Sequence, residues 1–293
     1  MAITINDKKE IQDSLQDYVN RFGGVTKAAN TLDQVSASTI RTILKGGDYP
    51  YITDKMFRSI RNQLKGTKQT DWVFIETAVT KDLFFFFEET QEDIDFSWAV
   101  SPQGSGKSVA ALQYAQEHKN VFYVLCDEDM KKSDFALELA KAVGLRINTQ
   151  KKARTIIMEV IQELSEMESP LLIFDEGDKL ADNILYYFIT IYNRLKDHAG
   201  VAFLSTDYME KRMENGLKLN KKGFKELWSR IGSKFYHVDS NEAYHVDLLC
   251  RANGIIIPSM ISRIVNDAEK ANLDLRRASK KIRKERKKEK AAA

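Results

Sequence analysis

The sequence predicts an α/β protein, a parallel sheet between helices, with an all-α domain before it and a small helical lid after it. Three observations predict this. Short, continuous apolar runs alternate with helical patterns from about residue 97 to 238, as in sheets covered on both faces. A loop containing Gly104 and Gly106 joins the first apolar run to a helix. On either side of that region the apolar spacing is helical only.

At 293 residues, with 43% hydrophobic and 30% charged side chains, the chain can bury a sizeable core. Its 4 Pro and 14 Gly exclude collagen-like and low-complexity classes. No apolar run approaches the roughly 18 residues of a membrane span. The start, MAITINDKKE, lacks the apolar stretch of a secretory signal. Two cysteines, Cys126 and Cys250, make no disulfide framework and fit a reducing cytoplasm. The four histidines show no ligand spacing. The net charge of +3 is unevenly spread, with ten Lys/Arg against two Glu in residues 276–290. Such basic ends around an acidic middle suit polyanion contacts, or a solvated helix end.

In the N-terminal stretch, Ile11, Leu15, Tyr18 and Val19 mark a helix over 7–21 that ends at Gly23-Gly24. A short helix over 25–32 follows. Ser36 then caps a third helix, with Ile40, Ile43 and Leu44 on its apolar face and Gly46-Gly47 as its stop. Residues 54–64 make a fourth. Short helices joined by a tight turn, with Ala28-Ala29 at a close approach, describe a helix-turn-helix domain over 1–66. A linker is expected over 67–71, an αβα core over 72–238, a helical lid over 239–280 and a basic tail over 281–293.

In the core, strands are expected at 98–100, 121–126, 171–174, 201–204 and 234–238, with helices at 107–117, 133–143, 150–166 and 181–196. The run Phe84 to Phe87 reads as packing under the sheet, or as a docking patch.

The chemistry concentrates at strand ends. In SPQGSGKS, residues 101–108, the loop Pro102, Gln103, Gly104, Ser105 and Gly106 leads into the helical residues Lys107, Ser108 and Val109. Backbone N–H groups at such a helix start cradle phosphates. Lys107 would reach the β and γ phosphates and the Ser108 hydroxyl would hold Mg²⁺. Ser101 stands where the pattern usually has its first glycine. Sixty-eight residues after Lys107, Leu171-Leu-Ile-Phe ends in Asp175-Glu176, at the carboxyl end of a strand where open sheets place ligands. Asp175 would organise Mg²⁺ and Glu176 would orient and deprotonate water, unless the pair is a solvated turn. Together the two motifs point to ATP with Mg²⁺. Thr206, after the strand 201–204, suits γ-phosphate sensing or a strand-end cap. Arg230 in WSRIG suits an arginine finger acting in a neighbouring subunit, or a surface ion pair. Arg276 in LDLRR could fold over the nucleotide. Trp72 and Thr77 lie where a linker can approach the base.

These five elements in this order resemble the AAA+ ATPases, over roughly residues 72–280. With the N-terminal helices, GGVTKAANTLDQVSASTIRTILKGG, SPQGSGKS and STDYMEKRM…NKKGFKELWSRIG resemble the AAA+ transposition regulators of the MuB/TnsC/IstB family. Ser101 departs from that pattern, and Ser205 stands where relatives often have glycine. The resemblance implies an ATPase that binds double-stranded DNA with little sequence preference. It also implies oligomerisation into helical filaments on DNA, target selection and stimulation of a transposase. A bacterial cytoplasmic, nucleoid-associated setting follows, for a phage or mobile-element protein.

Candidate DNA contacts are Arg41 and Lys45 on the third helix, Lys131 and Lys132 after the second strand, and Arg146, Lys151, Lys152 and Arg154 between two core helices. Each is also compatible with an ordinary solvated face. Hydroxyls and cations on the third helix, Ser38, Thr39, Arg41, Thr42 and Lys45, suit phosphate contacts better than base reading. A helicase loader or replication initiator, and a DNA-binding regulator with an ATP switch, are the competing functional classes.

Overall fold

A computed structural model describes residues 3–47, 49, 51–64, 72–146 and 150–292. The expected linker at 67–71 lies outside the described residues. Four helices form the N-terminal domain: α1 (Ile5–Arg21), α2 (Val25–Thr31), α3 (Ala37–Lys45) and α4 (Asp54–Leu64). Thr4 and Asp7 cap α1 reciprocally, each side chain accepting the other's backbone N–H. The Ser36 hydroxyl caps α3 by accepting from the Thr39 N–H at 3.1 Å. One apolar face per helix meets at Leu15, Ala28, Ile40, Ile43, Phe57 and Ile60, all fully buried.

The core then runs α5 (Ala78–Glu92), β1 (Phe96–Val100), α6 (Lys107–Glu117), β2 (Val121–Leu125), α7 (Lys132–Ala142) and α8 (Ala153–Ser165). It continues through β3 (Leu171–Asp175), α9 (Asp182–Leu195), β4 (Gly200–Ser205), α10 (Tyr208–Lys218), α11 (Phe224–Arg230) and β5 (Tyr236–His237). All strand pairs are parallel, in the order β2-β3-β4-β1-β5. Chain order therefore reverses around β1, and the crevice at its carboxyl end is where ligands of such sheets bind.

Alternation along the strands sorts side chains into two layers. Phe96, Trp98, Phe174 and Phe203 pack on one face with α7, α8 and α9. Ala99, Ile173, Ala202 and Leu204 pack on the other with α5 and α6. Small residues on the second face, Ala99 and Ala202 against Ala110 and Ala111, let α6 lie close to the sheet. The phenylalanine run sits within α5, where four successive residues at about 100° steps cannot share one face. Phe86 and Phe87 are buried and Phe84 packs beside them, whereas Phe85 turns outward and is 52% exposed.

The lid comprises α12 (Ala243–Ala252), α13 (Pro258–Glu269) and α14 (Leu275–Ala292), closed over Leu249, Ile261, Ile264, Ala278 and Ile282. Helix α14 runs through residue 280, burying Ile282 and Glu285 beyond it. The Glu285 carboxylate is held by Arg263 of α13 at 3.0 Å.

The N-terminal domain is seated on the core. Phe22 belongs to the apolar clusters of both. The Asn30 amide donates to the Gly144 carbonyl at 3.0 Å, Lys27 pairs with Glu163, and Asp33 pairs with Lys141 at 3.1 Å. Gly144, at φ +83°, admits this contact because a Cβ there would press on the Lys27 backbone. No described helix is long and apolar enough to cross a membrane.

Candidate nucleotide site

The loop after β1 turns on Gly104 and Gly106, both at positive φ. Ser101 needs no such freedom. It is buried, and its hydroxyl donates to the Ser105 hydroxyl at 2.9 Å, bracing the loop across its mouth. The Lys107 ammonium curls back to donate to the carbonyls of Ser101 and Pro102, at 2.7 and 2.9 Å. Burial lowers its pKa, and the carboxylates of Asp175, Asp178 and Glu176 partly offset that loss. An ammonium held by neutral carbonyls in a desolvated pocket is poised to exchange them for an anion.

Asp175 ends β3 and is 1% exposed. Its carboxylate accepts from the Tyr123 hydroxyl of β2 at 2.8 Å and from the Glu176 N–H at 3.0 Å. Burial, then the neighbouring Asp175, pushes the Tyr123 phenol well above its usual pKa, so it stays a donor. Glu176 adopts a left-handed backbone at φ 56°, which directs the chain out of the strand into a short 3₁₀ turn, Gly177–Lys179. Such a conformation in a non-glycine residue costs about 1 kcal/mol or more and clusters at functional sites.

Thr206 follows β4, and its hydroxyl donates to Asp178 at 3.0 Å. Arg212 of α10 donates to the Asp178 carbonyl at 2.9 Å and pairs with Asp182. The turn after β3 is thus tied to the end of β4. Ser205 is also explained: its hydroxyl accepts from the Trp98 indole at 2.8 Å, beneath the sheet end.

The lid rests directly on the loop. The Leu275 N–H donates to the Gly104 carbonyl at 2.9 Å. A Cβ on Gly104 would come within 2.2 Å of the Asp274 carboxylate, so glycine is required by space as well as by φ. The buried Asn241 amide, preceding the lid, donates to the Ser105 carbonyl at 2.8 Å.

Between core and lid lies a cavity of about 830 Å³. It gathers Gln103, Gly104, Ser105, Gly106, Lys107, Ser108, Val109, Asp175, Glu176, Thr206 and Arg276. Pro102 contributes its carbonyl to Lys107 rather than a wall. Trp72 and Thr77 line the same cavity. The two arginines of LDLRR diverge: Arg276 lines the cavity, and Arg277 turns away to Asp267 at 2.6 Å.

Arg230 does not line it. Its guanidinium lies over the Tyr192 ring, 5.3 Å from the centroid, and donates to Asn193 and to the Glu226 carbonyl. The buried Nε finds no hydrogen-bond partner among the described residues. The basic clusters also stand apart from the cavity. Arg41 and Lys45 are exposed on α3, and Lys131 and Lys132 at the start of α7. Arg146, Lys151, Lys152 and Arg154 are exposed around the α7–α8 connection, where Lys151 pairs with Glu159 at 2.5 Å. Residues 147–149 of that connection lie outside the described residues.

Sequence reasoning missed Tyr123, Asp178, Arg212, Asn241 and Asp274. Each acts through a partner in a distant segment, so none carries a local signature.

Residues 96–213 match the family model described as an AAA domain. The chain is 26% identical over 161 residues to the Mu-like prophage FluMu DNA transposition protein B of Haemophilus influenzae. That match covers 54% of each protein, so the chain spans about half the length of the relative. The crystal structure of Cdc6p from Pyrobaculum aerophilum aligns at a TM-score of 0.42 and 12% identity, over 69% of this chain and 66% of that one.

Proposed function

From the premise that this chain is a MuB-like AAA+ protein, we propose that it is an ATP-hydrolysing, DNA-binding regulator of transposition. The single observation that carries the catalytic part is convergence. Lys107, Ser108, Asp175, Glu176, Thr206 and Arg276 come from four separate segments and line one cavity at the carboxyl ends of parallel strands.

The residues have distinct tasks. Lys107 and the N–H groups of the loop hold the phosphates, and Arg276 reaches them from the lid. Ser108 and Asp175 are the hydroxyl and carboxylate donors suited to Mg²⁺, whose charge would offset that of the phosphates. Glu176, beside Asp175, orients and deprotonates the attacking water. Thr206, fixed by Asp178, senses the γ-phosphate. Arg230 serves a neighbouring subunit. Its position outside the cavity and its unsatisfied buried Nε support a role completed only by assembly.

ATP binding assembles the chain into helical filaments on double-stranded DNA with weak sequence preference. The helix-turn-helix of α2 and α3 and the internal basic clusters supply phosphate contacts. The assembly marks target DNA and stimulates a transposase, and hydrolysis dissolves it. The name of the Haemophilus influenzae relative supports the transposition part.

The test is negative-stain microscopy of the protein with random-sequence duplex DNA under ATP, ADP and no nucleotide. Continuous filaments are expected with ATP alone. Closed rings, or preference for single strands, would favour a helicase loader. A defined operator without filaments would favour an ATP-switched regulator. If about six phosphates are neutralised, log K should fall against log salt with a slope near −5.

A further inference from the structure

The chain enters the ATPase domain along the lid. The Val73 N–H donates to the Asn253 side chain at 2.9 Å, and the Asn253 amide donates back to the Val73 carbonyl at 3.0 Å. Asn253 is 2% exposed, so this clasp is shielded from water. Trp72 and Ile75 pack on the apolar cluster of the lid. The Arg283 guanidinium, on α14, lies 4.9 Å from the centroid of the Trp72 ring. Both Trp72 and Arg283 line the nucleotide cavity. Arg283 lies seven residues beyond Arg276, almost two full helical turns, which places both on one face of α14.

We propose that Trp72 and Arg283 form a cation–π latch that positions the base end of the nucleotide. It fastens the segment arriving from the N-terminal domain to the basic C-terminal helix. This rests on the nucleotide reading above. The phosphates are held by the loop and its lysine, so the opposite end of the ligand needs an apolar, stackable surface. Trp72 supplies that surface beside Ile75 and Leu249. Arg283 holds the indole in place and raises the cost of opening this wall. Arg283 is a positioning residue, acting through Trp72.

The test is titration of the full chain with Mg²⁺–ATP, followed by tryptophan fluorescence and calorimetry. Inorganic triphosphate is the control ligand. Binding should change the fluorescence of the wild-type chain. Trp72→Phe should bind but lose that change, because Trp98 is buried against Phe203 and Trp228 packs under the core. Arg283→Ala should weaken ATP by roughly 3- to 30-fold, the range of a cation–π contact. Most of that loss should fall on affinity, with kcat at saturation reduced by at most a few-fold. Arg283→Lys should keep most of the affinity, and Arg283→Met, which keeps the stem without the charge, should behave like alanine. Triphosphate should bind all five proteins equally. The latch is overturned if Arg283→Ala or Arg283→Met binds ATP like wild type. It is equally overturned if triphosphate weakens in parallel, which would make Arg283 a phosphate contact. A wild-type chain that binds no ATP would sink the nucleotide reading itself, a different result from an unaffected Arg283 variant.

Discussion

The two walls of the cavity are made in opposite ways. The wall nearest the sheet is backbone and strand-end chemistry: a glycine loop, a helix start and a carboxylate buried at the end of β3. The wall nearest the lid is side-chain chemistry from chain segments about two hundred residues apart, Trp72 and Ile75 on one side and Leu249, Arg276 and Arg283 on the other. The first is rigid because it is continuous with a packed core. The second holds together through a few hydrogen bonds and one apolar cluster. On the proposed reading, a site built this way fixes the phosphates at the rigid wall and leaves the base to a wall that side chains alone hold shut.

Substitutions can break that contrast or sharpen it. The largest effect belongs to Arg230→Ala, which should lower assembly-stimulated hydrolysis by roughly 10³–10⁵. It should leave ATP binding by the isolated subunit intact. Mixing Arg230→Ala with Lys107→Ala subunits should recover activity if the finger acts in trans. Glu176→Gln comes next. It should bind ATP while losing roughly 10²–10⁴ in turnover, and leave DNA-bound assemblies that persist. Retained turnover in a phosphate-release assay would remove Glu176 as the base. Tyr123→Phe is a smaller probe of the rigid wall. It strips one donor from a buried carboxylate, a loss of about 1.5–3 kcal/mol for a bond to a charged group. It should lower Mg²⁺-dependent ATP affinity by at least several-fold in calorimetry. An unchanged affinity would mean that Asp175 is oriented without it.

The smallest effect concerns the lid and pH. Hydrogen bonds from Arg277, then Lys281, hold the Asp267 carboxyl below the usual carboxylate range. A depressed folded-state pKa contributes stability above about pH 4, the unfolded value, and loses it as pH falls further. Thermal melts of wild type and Asp267→Asn should therefore differ at pH 6, begin to approach each other below about pH 4 and converge only at about pH 2 or below. A constant difference across that range would remove the ion cluster as its source.

The rigid wall was legible in the sequence and the lid wall largely was not. A phosphate loop and a strand ending in Asp175-Glu176 are contiguous, and their spacing alone places them at one sheet end. Most helix boundaries were legible for the same reason, since caps such as Ser36 and stops such as Gly46 act locally. Helix α5 was harder, because four successive aromatics hide its period. Helices α10 and α11 were overshadowed by the motifs on either side. Ser101 and Ser205 depart from the family pattern in sequence, and only their partners, Ser105 and Trp98, account for them. Asn241, Asp274 and Arg283 each face a residue more than a hundred positions away, and a single sequence offers no rule that pairs them.

Helix α14 begins at the loop carbonyl of Gly104 and continues for 18 residues, about 27 Å of helix. It is a rod with its root in the nucleotide cavity and its cations spread along its length. A tilt of about 10° at the root would swing the far end through about 5 Å, the rise of one helical turn. Because Ile282 and Glu285 tie the helix to the rest of the lid, a small adjustment beside Gly104 would carry the lid, and its row of positive charge, with it.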